Sequence, residues 1–307
     1  MRCLIRGWFV LVLVASILPF LLCMPALGEK DAALGLFEKG NQFLENGSYK
    51  KAVAAYDEAI EIDQEFAEAL AAKGIALVAL GKYDEAIDAF DRATEIDPEY
   101  AEAWNNKGLA IAKGSGDYDK AVEACDKAIE INPQDADFHN GKGVALIGLG
   151  EYEEAIEVFD RSIELNPSDA LPWKNKGNAF DSLGRYDEAI EAYEEAIRIN
   201  PRDAESWCYK GISLLQSERY HEAIKAFNKA LDLNSKYAEA YFNKGNALGG
   251  LGRYKEALDA FDKAIKLNPN YAAAWNNKGL ALQDLGRSSE AKKAFDKAEE
   301  LGYSEDD

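Results

Sequence analysis

The chain has 307 residues, 55 acidic and 35 basic side chains, and a formal net charge of −20. A polyanion of this kind does not track phosphates, so nucleic acids and anionic lipid surfaces are set aside as partners of its folded part, while basic or neutral polypeptides are admitted. Its four cysteines, two of them the early Cys3 and Cys23, do not form a disulfide framework.

Residues 1–28 come first in chain order. Arg2 and Arg6 are their only charges, an uncharged run extends from Gly7 to Gly28, and small residues close it in Pro25-Ala26-Leu27-Gly28. As a helix this run would be about 33 Å long, enough to span a bilayer. A charged start, apolar centre and small-residue end is the pattern of a signal peptide. The segment is read as a signal peptide or an uncleaved membrane anchor, the only contact with a membrane that the chain makes. The arginines stay inside in either case, so the rest of the chain is expected to be extracytoplasmic, secreted or anchored by this segment. A lipoprotein signal ending at Cys23 is disfavoured by the bulk of Leu22.

From Ala33 the chain falls into eight rows of 34 residues, spanning 33–66, 67–100, 101–135, 136–169, 170–203, 204–237, 238–271 and 272–305, with one extra residue in the third at Gly114-Ser115-Gly116. Row position 8 is always glycine (Gly40, Gly74, Gly108, Gly143, Gly177, Gly211, Gly245, Gly279) and position 20 always alanine. Position 24 is aromatic except at Cys125, and position 27 is alanine except at Ser162. Positions 20, 24, 27 and 28 are small, aromatic, small and aliphatic at helical spacing, and positions 4 and 11 are bulky, so each row predicts two helices. Glycines such as Gly81 and Gly184 punctuate the pair. Asx-Pro steps such as Asn132-Pro133 and Asn200-Pro201 end most rows, because proline cannot continue a helix and drives its predecessor out of helical geometry. Gly249-Gly250 predicts a weakened helix end in the seventh row. Glycine inside a helix costs roughly 1 kcal/mol relative to alanine, so its recurrence at position 8 implies close approach of the paired helices. In the last row Ser288, Lys292 and Glu299 replace larger or apolar residues, which reads as a polar cap.

On these motifs the chain resembles the tetratricopeptide repeat (TPR) family over Ala33 to about Glu305. The resemblance implies an all-α fold, a right-handed superhelical α-solenoid of eight helix-turn-helix repeats preceded here by a hydrophobic leader, with the first helices lining a concave groove.

Within each first helix, positions 4, 7, 8, 11 and 14 are assigned to the core, and positions 2, 5, 6, 9, 12 and 13 to the groove side. Lysine stands at position 7 in all eight rows, as in Lys73, Lys107 and Lys176. On the core side it is expected to bury its stem and send the ammonium to a rim carboxylate or carbonyl. Asparagine recurs on the groove side: Asn106, Asn175, Asn243 and Asn277 at position 6, Asn105, Asn140 and Asn276 at position 5, and Asn178 and Asn246 at position 9. A carboxamide carries donors and an acceptor, so it can grip an extended peptide main chain. The position-6 set resembles the asparagine ladder in the repeat domain of O-linked N-acetylglucosamine transferase, interrupted here by Glu38, Ala72, Gly141 and Tyr209, and no catalytic domain accompanies it. Apolar groove candidates are Phe37, Ile75 and Leu109, with Tyr209 as the aromatic one, and Glu68, Glu102, Asp137, Glu205 and Glu239 rim them at position 2. The two-carboxylate clamp of chaperone-tail binders in this family is not assembled: Lys174 and Asn178 are followed by Tyr209, Glu239 and Asn243.

His139 and His221 are the only histidines and lie in different rows, so no metal site is expected. The stretch GNALGGLG at Gly245–Gly252 follows no strand and lacks Gly-Lys-Ser/Thr, so neither nucleotide nor other cofactor is expected. The function that follows is a non-enzymatic scaffold outside the cytoplasm, binding extended, apolar-and-basic polypeptide segments in its groove. The alternative is a structural spacer or assembly subunit that works through its convex acidic face or its ends.

Overall fold

The computed structural model describes residues 27–304, so residues 1–26 of the leader lie outside the described residues. Helices pair row by row: α1 (Leu27–Glu45) with α2 (Tyr49–Ile62), α3 (Ala67–Ala79) with α4 (Tyr83–Ile96), α5 (Ala101–Gly114) with α6 (Tyr118–Ile131), α7 (Ala136–Leu149) with α8 (Tyr152–Leu165), α9 (Ala170–Ser182) with α10 (Tyr186–Ile199), α11 (Ala204–Gln216) with α12 (Tyr220–Leu233), α13 (Ala238–Gly250) with α14 (Tyr254–Leu267), and α15 (Ala272–Asp284) with α16 (Ser288–Glu300). This is an all-α solenoid of helical hairpins. It forms two compact units, one up to Gln134 holding α1–α6 and one from Asp135 holding α7–α16. None of the described helices is long and apolar enough to cross a membrane.

In each unit every helix packs on the next one in the chain, and each first helix also meets the first helix of the following repeat, whereas second helices do not meet one another. First helices are thus gathered and second helices spread, so each unit curves toward its first helices.

The glycine at position 8 makes the pairing possible. A Cβ added to Gly177 would lie 2.5 Å from Cε1 of Tyr193, and one added to Gly74 would lie 2.7 Å from the Phe90 ring. The ring at position 24 is pressed against the bare backbone of its partner helix: Tyr56, Phe90, Phe159, Tyr193 and Phe227 are fully buried. Where Cys125 replaces the ring, an added Cβ at Gly108 would still meet its Sγ at 2.7 Å and the Ala121 carbonyl oxygen at 2.8 Å. Ser162, in the alanine slot at position 27, is buried without penalty because its hydroxyl donates to the Ala136 carbonyl at 2.8 Å.

Turns are built as their residues require. Gly81 has φ 73°, its N–H bonds the Val78 carbonyl and the Lys82 N–H reaches the Leu77 carbonyl, both at 3.0 Å, closing α3 with a left-handed residue. In the sixth repeat Glu218 takes that place at φ 56°, the only non-glycine residue with positive φ among those described. Between repeats the Asx side chain before proline accepts the N–H two residues on, as Asn200 does from Arg202 at 3.3 Å. The tryptophans at position 4 seal these turns, with indole N–H bonds from Trp104 to the Pro98 carbonyl at 3.0 Å and from Trp275 to the Pro269 carbonyl at 3.1 Å.

One expectation is corrected. The Gly249-Gly250 pair does not weaken the end of α13, which runs through Gly250. A Cβ there would come within 2.8 Å of the Tyr220 ring, so Gly250 is a second contact glycine, matching Gly114 under Tyr83.

Candidate functional site

A helix packed on its own partner, on the preceding second helix and on neighbouring first helices keeps only one free stripe. At 100° per residue, positions 2, 6, 9 and 13 form that stripe, while positions 5 and 12 turn toward the adjacent first helix. Burial follows this division. Position 2 is exposed at Glu68, Glu102, Asp137, Glu205 and Glu239. Position 9 is open at Ile75, 40% exposed, and Leu280, 48% exposed.

Position 5 departs from its assignment to the groove. Asn105 is buried, and its Oδ1 faces the Cys125 thiol at 3.8 Å inside its own hairpin. Phe37, also at position 5, is half-buried, its ring 5.0 Å from Phe66 and 5.9 Å from Tyr56. Asn140 and Asn276 are half-buried and each gives one bond to the stripe: Asn140 Oδ1 accepts from Asn175 Nδ2 at 2.9 Å, and Asn276 Nδ2 donates to Asn277 Oδ1 at 3.2 Å. Both are edge residues that orient a neighbour.

On the stripe itself, Asn277 donates to Asn246 Oδ1 at 2.8 Å, joining one repeat to the next. Asn178 accepts the Tyr193 hydroxyl at 2.7 Å. Asn106 and Asn243 are half-buried and make no side-chain bond among the described residues. Leu109 and Tyr209 are half-buried beside them in their respective units, the Tyr209 ring 6.0 Å from Tyr193. The amides thus divide into a bonded set, tied to a neighbouring repeat as Asn175 and Asn277 are or to the partner helix as Asn178 is, and an unbonded set at Asn106 and Asn243.

Sequence reasoning missed a polar network under the stripe in the fifth and sixth repeats. Tyr193 also donates to Asp181 Oδ2 at 2.8 Å, and the buried Ser213 hydroxyl lies 2.7 Å from Asp181 Oδ1. Burial raises the Asp181 carboxyl above its ordinary range, against the lowering pull of those two hydroxyls. A signal was present. Tyrosine fills position 24 only at Tyr56 and Tyr193, and both rows carry asparagine at position 9; Tyr56 bonds Asn41 at 2.7 Å as Tyr193 bonds Asn178.

The stripe lies in a negative field. Burial and then Glu102, Glu68 and Asp97 raise the Tyr100 phenol. Tyr209 is raised by burial, Glu205 and Glu239, and Tyr271 is pushed up to about 12 by burial, Glu239 and Cys208. The cation near this floor is already engaged: Lys174 bridges Glu205 at 2.9 Å and Asp203 at 3.4 Å.

The position-7 lysines of the second to eighth repeats lie on the opposite side, half-buried, while Lys39 of the first repeat is exposed. Lys73 reaches Asp57 at 2.6 Å, Lys107 reaches Asp91 and Lys176 reaches Asp160 at 2.5 Å, Lys210 reaches Glu194 at 2.7 Å, and Lys278 reaches Asp262 at 2.5 Å. Each acid stands at position 25 of the preceding repeat, so the bridge staples one repeat to the next. Among the described residues no group of three His, Cys, Asp or Glu side chains gathers to hold a metal.

A family model described as tetratricopeptide repeat matches residues 37–101, 71–136, 112–170 and 174–238, and two further models of the same description match 238–271 and 260–293. Among solved structures, the chain is similar to MamA at 26% identity, covering 52% of this chain and 93% of that one with a TM-score of 0.50. It is similar to YrrB, described as a TPR protein with an unusual peptide-binding site, at 29% identity over 59% of this chain and 93% of that one, TM-score 0.50. A tetratricopeptide repeat protein from Parabacteroides merdae shares the fold at 19% identity, covering 82% of this chain and 99% of that one with a TM-score of 0.63. No curated protein matches the chain.

Proposed function

Because the chain belongs to the tetratricopeptide repeat family, we propose that it is a non-enzymatic scaffold that binds extended polypeptide segments along the stripe of its first helices. The observation that carries this is the stripe's composition: open apolar side chains at Ile75 and Leu280, unbonded amides at Asn106 and Asn243, and a carboxylate rim at position 2. Amides take up a peptide main chain, apolar side chains take its alternate residues, and the negative field selects segments bearing lysine or arginine. The peptide-binding description of YrrB accords with this reading.

Ile75→Asp and Leu280→Asp add charge at open positions where the core is untouched. Each is expected to abolish capture of apolar-and-basic peptides from a displayed library while leaving the helical circular dichroism spectrum unchanged. Capture undiminished in both variants, and in Asn106→Ala/Asn243→Ala, refutes groove binding and leaves the spacer reading. We also place the repeats outside the cytoplasm, from Arg2 and Arg6 ahead of the uncharged run to Gly28. N-terminal sequencing of the protein from its native cell, together with protease accessibility from outside the membrane, tests that placement.

A further inference from the structure

Among the layers of the second unit the staple between position 7 and position 25 is missing at one, which changes what the surface can bind. In five layers the lysine closes on an aspartate or glutamate of the preceding repeat at 2.5–2.7 Å. In the seventh repeat the lysine is Lys244 and the register partner on α12 is Asn228. Lys244 makes no ion pair among the described residues. Burial lowers its pKa, and Lys263 and Arg253 lower it further, while Glu256 and Asp232 oppose them only in part. Glu256 is itself held by Arg253 at 2.6 Å.

The surroundings of Asn228 changed in the same sense. Each of three repeats has a concavity between its tryptophan and its second helix, on the side of the first helix away from the stripe. In the fifth repeat that concavity is lined by Trp173, by Lys176, which is bridged to Asp160, and by Glu188, Glu191, Glu194 and Glu195, all but Glu191 of them ion-paired. In the sixth it holds about 490 Å³ and is lined by Trp207, Lys210, Lys225, Asn228 and Lys229, with Glu222 the one acid. Glu222 is neutralised by Arg219 at 2.9 Å. Lys225 and Lys229 are exposed and make no ion pair among the described residues. The same scaffold therefore presents carboxylates in one repeat and unpaired ammonium groups in the next, in a chain whose net charge is −20.

We propose that α12, with Trp207 and Lys244, forms a second docking surface, for an acidic polypeptide segment whose Asp or Glu side chain takes the place beside Asn228 that the chain's own acid takes in the stapled layers. Trp207 supplies an apolar wall for the residue next to that acid. The surface is separate from the groove and opposite to it in charge preference, so one chain can hold two partners of different chemistry.

The test uses the whole chain and a fluorescein-labelled Asp/Glu-rich decapeptide read by anisotropy, with the Asn/Gln counterpart as control. The wild type is expected to bind the acidic peptide and not the amide one. Lys244→Met and Lys225→Glu/Lys229→Glu are each expected to weaken binding about tenfold or more, since close charge pairs at an interface carry energies of that order. Asn228→Asp is the decisive variant: it supplies the missing internal acid, so the thermal midpoint is expected to rise while peptide affinity falls about tenfold. Ile75→Asp in the groove is expected to leave this binding unchanged, which separates the result from the groove reading. Equal binding of the amide peptide, undiminished binding by Asn228→Asp, or preference for phosphatidylserine vesicles or duplex DNA over the acidic peptide overturns the proposal.

Discussion

Gly177→Ala pits two effects of opposite sign against each other. Helix propensity favours alanine by roughly 1 kcal/mol in a helix interior. Against it, the new Cβ would sit 2.5 Å from Cε1 and 2.8 Å from Cδ1 and Cζ of Tyr193, distances at which something must move. The ring cannot swing freely, because it is fully buried and its hydroxyl is tied to Asn178 at 2.7 Å and to Asp181 at 2.8 Å. Overpacking of this kind costs about 1–3 kcal/mol, and each hydrogen bond lost as the ring shifts adds about 1 kcal/mol. With both bonds lost, the net expectation is a loss of roughly 2–4 kcal/mol after the propensity gain. Gly249→Ala is the internal control: it is also helical, an added Cβ meets nothing within 4 Å, and a gain of about 0.5–1 kcal/mol follows. Urea unfolding followed by circular dichroism, with the midpoint and slope compared for both variants, reads the difference. If both variants are stabilised, propensity outweighs contact and the account of the position-8 glycines fails.

Three further outcomes follow from individual sites. Glu218→Gly removes a side chain from a left-handed residue at φ 56° and is expected to stabilise by about 1 kcal/mol in the same unfolding assay, a value of zero or below refuting the strain. Trp104→Phe keeps a ring at position 4 but removes the 3.0 Å bond to the Pro98 carbonyl, and a loss of about 1 kcal/mol is expected. For Asp181 the folded carboxyl titrates above its unfolded value, so the folded chain holds the proton more tightly and this group's contribution to stability falls as pH rises from the unfolded value through the folded one. Asp181→Asn is therefore expected to compare more favourably with the wild type at neutral pH than at pH about 3, where the wild-type carboxyl is protonated in both states; a pH-independent difference would contradict the burial penalty.

The packing of individual side chains was legible in the residues at some positions and not at others. The position-7 lysines could be placed because a cation on a core-facing turn of helix has few places to put its ammonium, and Lys107 on Asp91 is one of them. Asn105 could not be told from Asn106 in the same way: two adjacent amides differ by 100° around the helix, and whether that rotation meets solvent or Cys125 depends on how the second helix of the same hairpin packs against the first. The Asp181 network drew together Asn178 and Asp181 on α9, Tyr193 on α10 and Ser213 on α11, and only the row-by-row match of tyrosine with asparagine hinted at it.

By itself the sequence determined the hairpin, its period, its contact glycines and its turns, because each depends on chemistry within a few residues or on one partner helix: a ring against a bare backbone, a left-handed residue at a helix end, an amide ahead of proline. Tertiary structure alone decided which amides stay open and which are tied to a neighbour, and that a position-7 lysine closes on position 25 of the preceding repeat. Those outcomes depend on side chains 16 to 35 residues apart meeting across packed repeats, as Asn140 and Asn175 do and as Lys176 and Asp160 do, and a difference of one turn or one methylene in the stacking would pair them otherwise.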